Sequence, residues 1–153
     1  MDIPDKIKKI FIKTALKEIS EHEKSNVCCI IYHNSDILSI GCNSLETVRY
    51  IGQFKYLCPS VHAEVNAISR LIKPGIKKRI KLNMFILRAS KTGLIGNAIP
   101  CKHCLEFLKS DMISNLFAIN KITFSCDRSN FITKKMIDIS NEHVSRGWLR
   151  FKI

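Results

Sequence analysis

Two short clusters in this chain combine residue types that can hold a metal and move a proton: His62-Ala63-Glu64 and Pro100-Cys101-Lys102-His103-Cys104. A catalytic zinc takes three protein ligands and keeps one position open, and His62, Cys101 and Cys104 supply an N,S,S set that suits Zn2+. Glu64 is then spare. Two residues past the histidine on one helical turn, it can reach a zinc-bound water without ligating the metal. Zinc lowers the pKa of such a water from about 15.7 toward ~7, and a carboxylate beside it carries the proton. C-x-x-C alone is a weak signal, since redox motifs and structural zinc knuckles also contain it. A structural zinc closed by His103 or another histidine is the competing reading, and it leaves Glu64 as an ordinary helix N-terminal carboxylate. His103 lies between two residues that both face the metal, so its ring is expected to point elsewhere, to solvent or packing.

The two half-motifs together, H-x-E followed by P-C-x-x-C, resemble the zinc-dependent cytidine and deoxycytidylate deaminase superfamily. The resemblance implies hydrolytic deamination: a cytosine-type base of a nucleoside or nucleotide becomes uracil, ammonia leaves, and Glu64 shuttles the protons. It also implies substrate contacts from Asn43, where related deaminases hold the sugar or base, and from backbone groups at Ala63 and Pro100 that read the base edge. A plain turn residue is the equal alternative for Asn43. A nucleic-acid base deaminase acting on single-stranded DNA or RNA, on cytosine or adenine, is the main rival. A non-catalytic zinc-stabilised binding module is a third reading, against which Glu64 counts.

Elements able to position these residues are visible in the pattern. Ile7, Ile10, Phe11, Thr14, Ala15 and Ile19 recur at three- and four-residue spacing, which predicts an amphipathic helix over about 4–20. Asn26 to His33 is a nearly continuous apolar run, and Asn34-Ser35-Asp36 offers a turn into Ile37 to Gly41, which predicts a hairpin. Residues 42 to 60 read as a long irregular connection. Ser60 is placed to cap a helix over 61–73 whose apolar face is Val61, Val65, Ile68, Leu71 and Ile72, ended by Pro74-Gly75. Leu82 to Arg88 reads as a buried strand, Ser90 to Asn97 as a loop, Cys101 to about Lys109 as a short helix and Lys121 to Cys126 as a strand. Alternation of strands and helices predicts a three-layer α/β/α fold around a mixed sheet of about five strands. Both half-motifs then fall at helix starts, where partial positive charge favours thiolates.

The end of the chain divides the reading. Asp127 to Asn130 can turn a hairpin into Phe131 to Met136, or Ile132, Met136 and Ile139 can mark a crossover helix leading to a parallel strand at Trp148 to Phe151; the hairpin is favoured slightly. Among deaminases an antiparallel last pair resembles the free-nucleoside and toxin-type branches, whereas a parallel one, and a histidine first ligand, resemble the deoxycytidylate, tRNA-adenosine and polynucleotide-editing branches.

At 153 residues one domain spanning 1–153 is expected, and no apolar run approaches the ~20 residues of a membrane helix. The charged start Met1 to Lys6 lacks the apolar core of a signal peptide, so an intracellular, cytoplasmic location is expected. Seven cysteines, an odd number spread through apparent core segments, suit reduced thiols plus zinc ligands. A second metal site around Cys42 and Cys58 is conceivable, with buried thiols the plainer alternative. The net charge of +12 suits an anionic partner, a nucleotide phosphate or a nucleic acid, although the abundance of Ile, Lys and Asn throughout could raise it without one. The run from Lys73 to Lys81, with Lys77, Lys78 and Arg79, lies about 18 Å along the helix from the metal and reads as a solvated turn. Arg49, Lys55, Arg88, Lys91, Arg128, Arg146 and Arg150 are better placed to border the site. A homo-oligomer is expected.

Overall fold

A computed structural model describes residues 3–44, 48–51, 54–57, 61–72, 78–127 and 130–141. The chain runs α1 (Asp5–Glu21), β1 (Val27–His33), β2 (Asp36–Cys42), β3 (Val48–Ile51), β4 (Phe54–Leu57), α2 (Ala63–Ser69), β5 (Ile80–Ala89), β6 (Ile95–Gly96), α3 (Lys102–Lys109), α4 (Asp111–Ser114), β7 (Phe117–Ser125) and β8 (Phe131–Lys135). The main sheet has the order β2-β1-β5-β7-β8, with the short β6 paired to β5. β1 is antiparallel to both β2 and β5, β5 and β7 are parallel, and β7 and β8 are antiparallel. The mixed sheet expected from the sequence is therefore present, and the last described pair is the hairpin. Trp148 to Phe151 lies outside the described residues.

Alternation along the central strands divides the core into two layers, because successive side chains leave opposite faces of a strand. Cys28, Ile30 and Tyr32 of β1 and Phe85 and Leu87 of β5 meet Phe11, Ala15 and Ile19 of α1. Cys29 and Ile31, with Met84 and Ile86, face the other way onto Val65 and Ile68 of α2 and Leu105 and Leu108 of α3. That gives the three layers. On the α1 side, Phe11 packs at 4.9 Å from Tyr32 and 5.6 Å from Phe85, and Phe85 stacks on Phe131 at 5.4 Å. Such ring pairs contribute about 0.5–1.5 kcal/mol each beyond simple burial. They fix α1 against β1 and β5, and tie β5 to β8.

Several expected bounds shift. α2 is shorter than the apolar pattern suggested, beginning at Ala63 with His62 in the N-cap position and no side-chain cap, so its first turn is the motif itself. Ser60, the expected cap, lies outside the described residues. The connection 42–60 contains a two-stranded hairpin, β3 paired with β4, and Ser44 bridges to Val61. The stretch 90–97, read as loop, folds back so that Ile95 and Gly96 pair with Ala89 and Arg88. β7 starts at Phe117, four residues earlier than its apolar core indicated, because Ile80 to Leu82 of β5 supply parallel partners for Phe117 to Ile119. Among the described residues no helix is long and apolar enough to cross a membrane.

Candidate active site

His62 and Cys101 occupy equivalent places, each the extended N-cap residue of a helix that follows a bridge or turn at one end of the sheet. α2 is set against β2 by the backbone itself. A Cβ built on Gly41 would lie 2.5 Å from the Ala67 nitrogen, so only glycine lets the helix approach so closely. Three bonds complete this seam: Ser39 Oγ donates to the Ala67 carbonyl (2.9 Å), Asn66 Nδ2 to the Cys42 carbonyl (2.8 Å) and Arg70 Nη1 to the Ile40 carbonyl (2.9 Å). Cys101 is placed from the other side. Fully buried Ser125 donates from Oγ to the Gly96 carbonyl (2.7 Å), and its own carbonyl accepts from Ala98 N–H (2.8 Å), pinning the segment that leads into Pro100-Cys101.

The three expected ligands converge. One donor atom from each of His62, Cys101 and Cys104 lies within 4.8 Å of the others. His62 Nδ1 is 3.1 Å from Cys104 Sγ and 3.6 Å from Cys101 Sγ. A tetrahedral zinc with Zn–N of about 2.0–2.1 Å and Zn–S of about 2.3 Å sets an N···S separation of roughly 3.6 Å, so the donors already stand at nearly coordinating spacing. Imidazole with two thiols is also the donor chemistry zinc prefers over magnesium or calcium. His103 is not in the cluster, in line with its expected orientation away from it.

The electrostatics mark the same place. Cys101 is held down to about 4, first by the hydrogen bond from Cys104 and then, against burial, by the His62 bond. Cys104 is driven up by the same bond and by burial. Burial lowers the His62 imidazole, but the Cys101 bond and the Glu64 charge outweigh it and leave it raised. Glu64 is 5% exposed, and burial pushes its carboxyl up, partly opposed by the His62 charge and the Cys104 hydrogen bond. A carboxyl so buried, hydrogen-bonded to Cys104, is unusual for glutamate.

A cavity of about 150 Å³ opens onto this cluster, lined by Asn26, Val27, Asn43, His62, Ala63, Glu64, Arg88, Ala98, Ile99 and Cys101. Asn43 and Ala63 border it as expected. Asn43 is also held by the fold, its Oδ1 accepting from Asn26 N–H and Val27 N–H and its Nδ2 donating to Asn26 Oδ1, all at 3.0 Å. The Pro100 carbonyl accepts from Asn141 Nδ2 (3.0 Å), and Ala98 and Ile99 form the wall instead. Asn26, Val27, Ala98 and Ile99 had no signal in the sequence beyond flanking a strand or a motif. Of the basic residues expected at the rim, Arg88 lines the cavity; its Nε donates to the Asn97 carbonyl at 2.9 Å. Lys91 does not, its Nζ donating instead to the Ile19 and His22 carbonyls at the end of α1. Arg128, Arg146 and Arg150 lie outside the described residues, as do the side chains of Arg49 and Lys55.

The layers and the cluster place the chain among α/β/α proteins that gather zinc-type donors beside a buried acid at helix starts. The description of the cytidine and deoxycytidylate deaminase zinc-binding region matches residues 3–120, and the chain belongs to that family, whose metal is zinc. Among solved structures it is similar to the dCMP deaminase of the cyanophage S-TIM5 in complex with dCMP and dUMP, at 20% identity over 70% of this chain and 76% of that one, with a TM-score of 0.45. The apo form of the same phage enzyme gives 23% identity, 69% and 75% coverage and a TM-score of 0.44. No curated protein matches the sequence.

Proposed function

We propose that this chain is a zinc-dependent hydrolytic deaminase that converts a cytosine-type base of a small nucleoside or nucleotide to uracil, consuming water and releasing ammonia. The observation that carries the reading is Glu64, a buried carboxyl that hydrogen-bonds Cys104 and lines the same cavity as His62 and Cys101. His62, Cys101 and Cys104 would hold the zinc, which when bound supplies Lewis-acid activation of water. Glu64 is the proton carrier. Its carboxylate accepts one proton from the attacking water and delivers it to the ring nitrogen, then takes the second proton from the hydroxyl now on the ring carbon and passes it to the amine, so that ammonia leaves with the C–N bond as the new C=O forms. Burial of the site excludes bulk water from that exchange.

Cavity size bears on the substrate. Pockets for whole drug-sized ligands run about 300–1,000 Å³, so a space of about 150 Å³ suits a single base, with sugar and any phosphate at the mouth near Asn43 and Arg88. Ala63 and the wall at Ala98 and Ile99 would present backbone groups to the base edge, while Asn43 would steady the sugar from a position the fold already fixes. The antiparallel β7–β8 pair resembles the free-nucleoside and toxin-type branches, whereas the histidine at position 62 resembles the deoxycytidylate and polynucleotide-editing ones, so the choice of a small substrate rests on the cavity. The test is a panel. Zinc-loaded protein is incubated with cytidine, deoxycytidine, deoxycytidylate and single-stranded DNA, and ammonia and uracil are followed. Turnover on a small substrate supports the reading; turnover confined to the DNA overturns it.

A further inference from the structure

A second cluster of metal-binding residues lies on the α1 side of the sheet, away from His62, Cys101 and Cys104. One donor atom each from Glu18, His22 and Cys42 falls within 4.8 Å of the others, the same closeness shown by the first set. The three come from two elements, the last turn of α1 with its C-cap and the end of β2. They border a cavity of about 600 Å³. Asn66 of α2 lines this cavity too. It is 7% exposed, its Nδ2 is fixed on the Cys42 carbonyl, and its Oδ1 has no hydrogen-bond partner among the described residues. A buried carbonyl oxygen left without a donor is costly, and it calls for a water or ion that the protein alone does not supply.

We propose that Glu18, His22 and Cys42 form a second divalent-metal site, for a zinc-type cation, whose remaining position is filled by water. This inference goes beyond the proposed function and does not depend on it. One sulfur, one imidazole and one carboxylate select a borderline-soft transition metal, whereas calcium or magnesium would take an all-oxygen shell. His22 is prepared for ligation. With Nδ1–H donated to the Glu18 carbonyl at 2.7 Å, the neutral ring keeps its lone pair on Nε2, the arrangement found behind metal-bound imidazoles. Glu21 and Glu23 join Glu18 around the cavity against Lys24 and Arg70, and Arg70 is turned onto the Ile40 carbonyl. Asn66 Oδ1 supplies an acceptor for water in the completed shell.

The placement gives the metal a task. Asn43 follows Cys42 directly, and its carbonyl accepts from Ser25 Oγ at 2.6 Å, just past His22. Asn43 lines both cavities. A metal bridging α1 to the end of β2 therefore stiffens the strand end that carries one wall of the deaminase cavity.

Cobalt(II) and zinc(II) are the probes, used on the full chain. In the Cys101→Ala, Cys104→Ala protein, cobalt should still bind in one equivalent with a thiolate-to-cobalt charge-transfer band, owed to Cys42. Adding His22→Ala should weaken that binding by about tenfold or more, as removal of a metal's supporting contacts typically does. Absence of the band, or binding indifferent to His22, overturns the site. Should the double variant fold poorly, zinc content settles it with the first site intact: two zinc per chain in the wild type and one in the variant of half-exposed His22 support the proposal, and one in both refutes it. Turnover on those same preparations separates the claims, since a wild type that holds a single zinc and is active sinks the second site and leaves the deaminase reading standing.

Discussion

Gly41→Ala should damage both stability and turnover, although Gly41 touches neither metal nor substrate. The added Cβ would stand 2.5 Å from the Ala67 nitrogen and 2.8 Å from its Cα, about 0.9 Å short of the 3.4 Å at which ordinary contact begins. Both atoms are helix backbone, so no side chain can swing aside; α2 must move off β2 by most of that distance. Overpacking of this kind costs about 1–3 kcal/mol. The shift also stretches the Ser39, Asn66 and Arg70 bonds across the seam, each contributing roughly 0.5–1.5 kcal/mol. A total of about 2–4 kcal/mol is expected, a large part of the 5–15 kcal/mol that holds a typical domain. α2 carries Glu64 and begins at His62, and a misplacement near 1 Å lowers turnover by ~10². Urea unfolding measures the first effect and steady-state kinetics the second. Gly96→Ala is the control, its nearest contact being the Arg88 Cδ at 3.6 Å, and it should stay within about 0.5 kcal/mol. A Gly41→Ala protein as stable and active as that control would refute the account of how α2 is positioned.

Further outcomes follow from the site. Cys101→Ala and Cys104→Ala should each lose zinc at the His62 cluster, and chelation of the wild type should abolish turnover until zinc is restored; metal analysis showing full occupancy in both variants would contradict the ligand set. Asn43→Ala removes the acceptor for Asn26 and Val27 N–H and should cost about 1–3 kcal/mol in a thermal melt without substrate. A melt unchanged from the wild type would show that Asn43 is not part of the framework. Replacing Lys77, Lys78 and Arg79 together by glutamine should leave turnover on a small substrate almost unchanged, with a shallow salt dependence. Binding to a single strand would instead fall by ~0.7 in log K per neutralised phosphate for each decade of salt, and a steep slope flattened by the triple change would reverse the choice of substrate.

The ligand set was legible because ligation needs specific side chains at specific spacings, and such spacing survives in a linear string. His62, Cys101 and Cys104 are marked by type and spacing together, and the structure draws their donors together. Strand alternation and turn residues likewise disclosed β1, β2, β5 and the last hairpin. The missed elements depend on partners far away in sequence. β6 exists because Ile95 and Gly96 find Ala89 and Arg88, and the first residues of β7 because they find Ile80 to Leu82; nothing in either stretch marks a strand by itself. The 61–73 periodicity misled for a different reason, since Leu71 and Ile72 pack against the core from a turn rather than from a longer helix. Asn43 reads from the sequence equally as a turn or a substrate residue, because its bonds to Asn26 and Val27 exist only in the tertiary register. The Glu18, His22 and Cys42 cluster carries no motif, and only the packing of α1 against β2 assembles it.

The measurement that bears most directly on the central claim compares wild type with Glu64→Gln, both brought to equal zinc content, on the best small cytosine substrate. The isosteric change keeps shape and removes the proton carrier. Fold and zinc should be retained while ammonia release falls by ~10²–10⁴, the usual contribution of a general acid–base group. A Glu64→Gln protein releasing ammonia at close to the wild-type rate would contradict the mechanism.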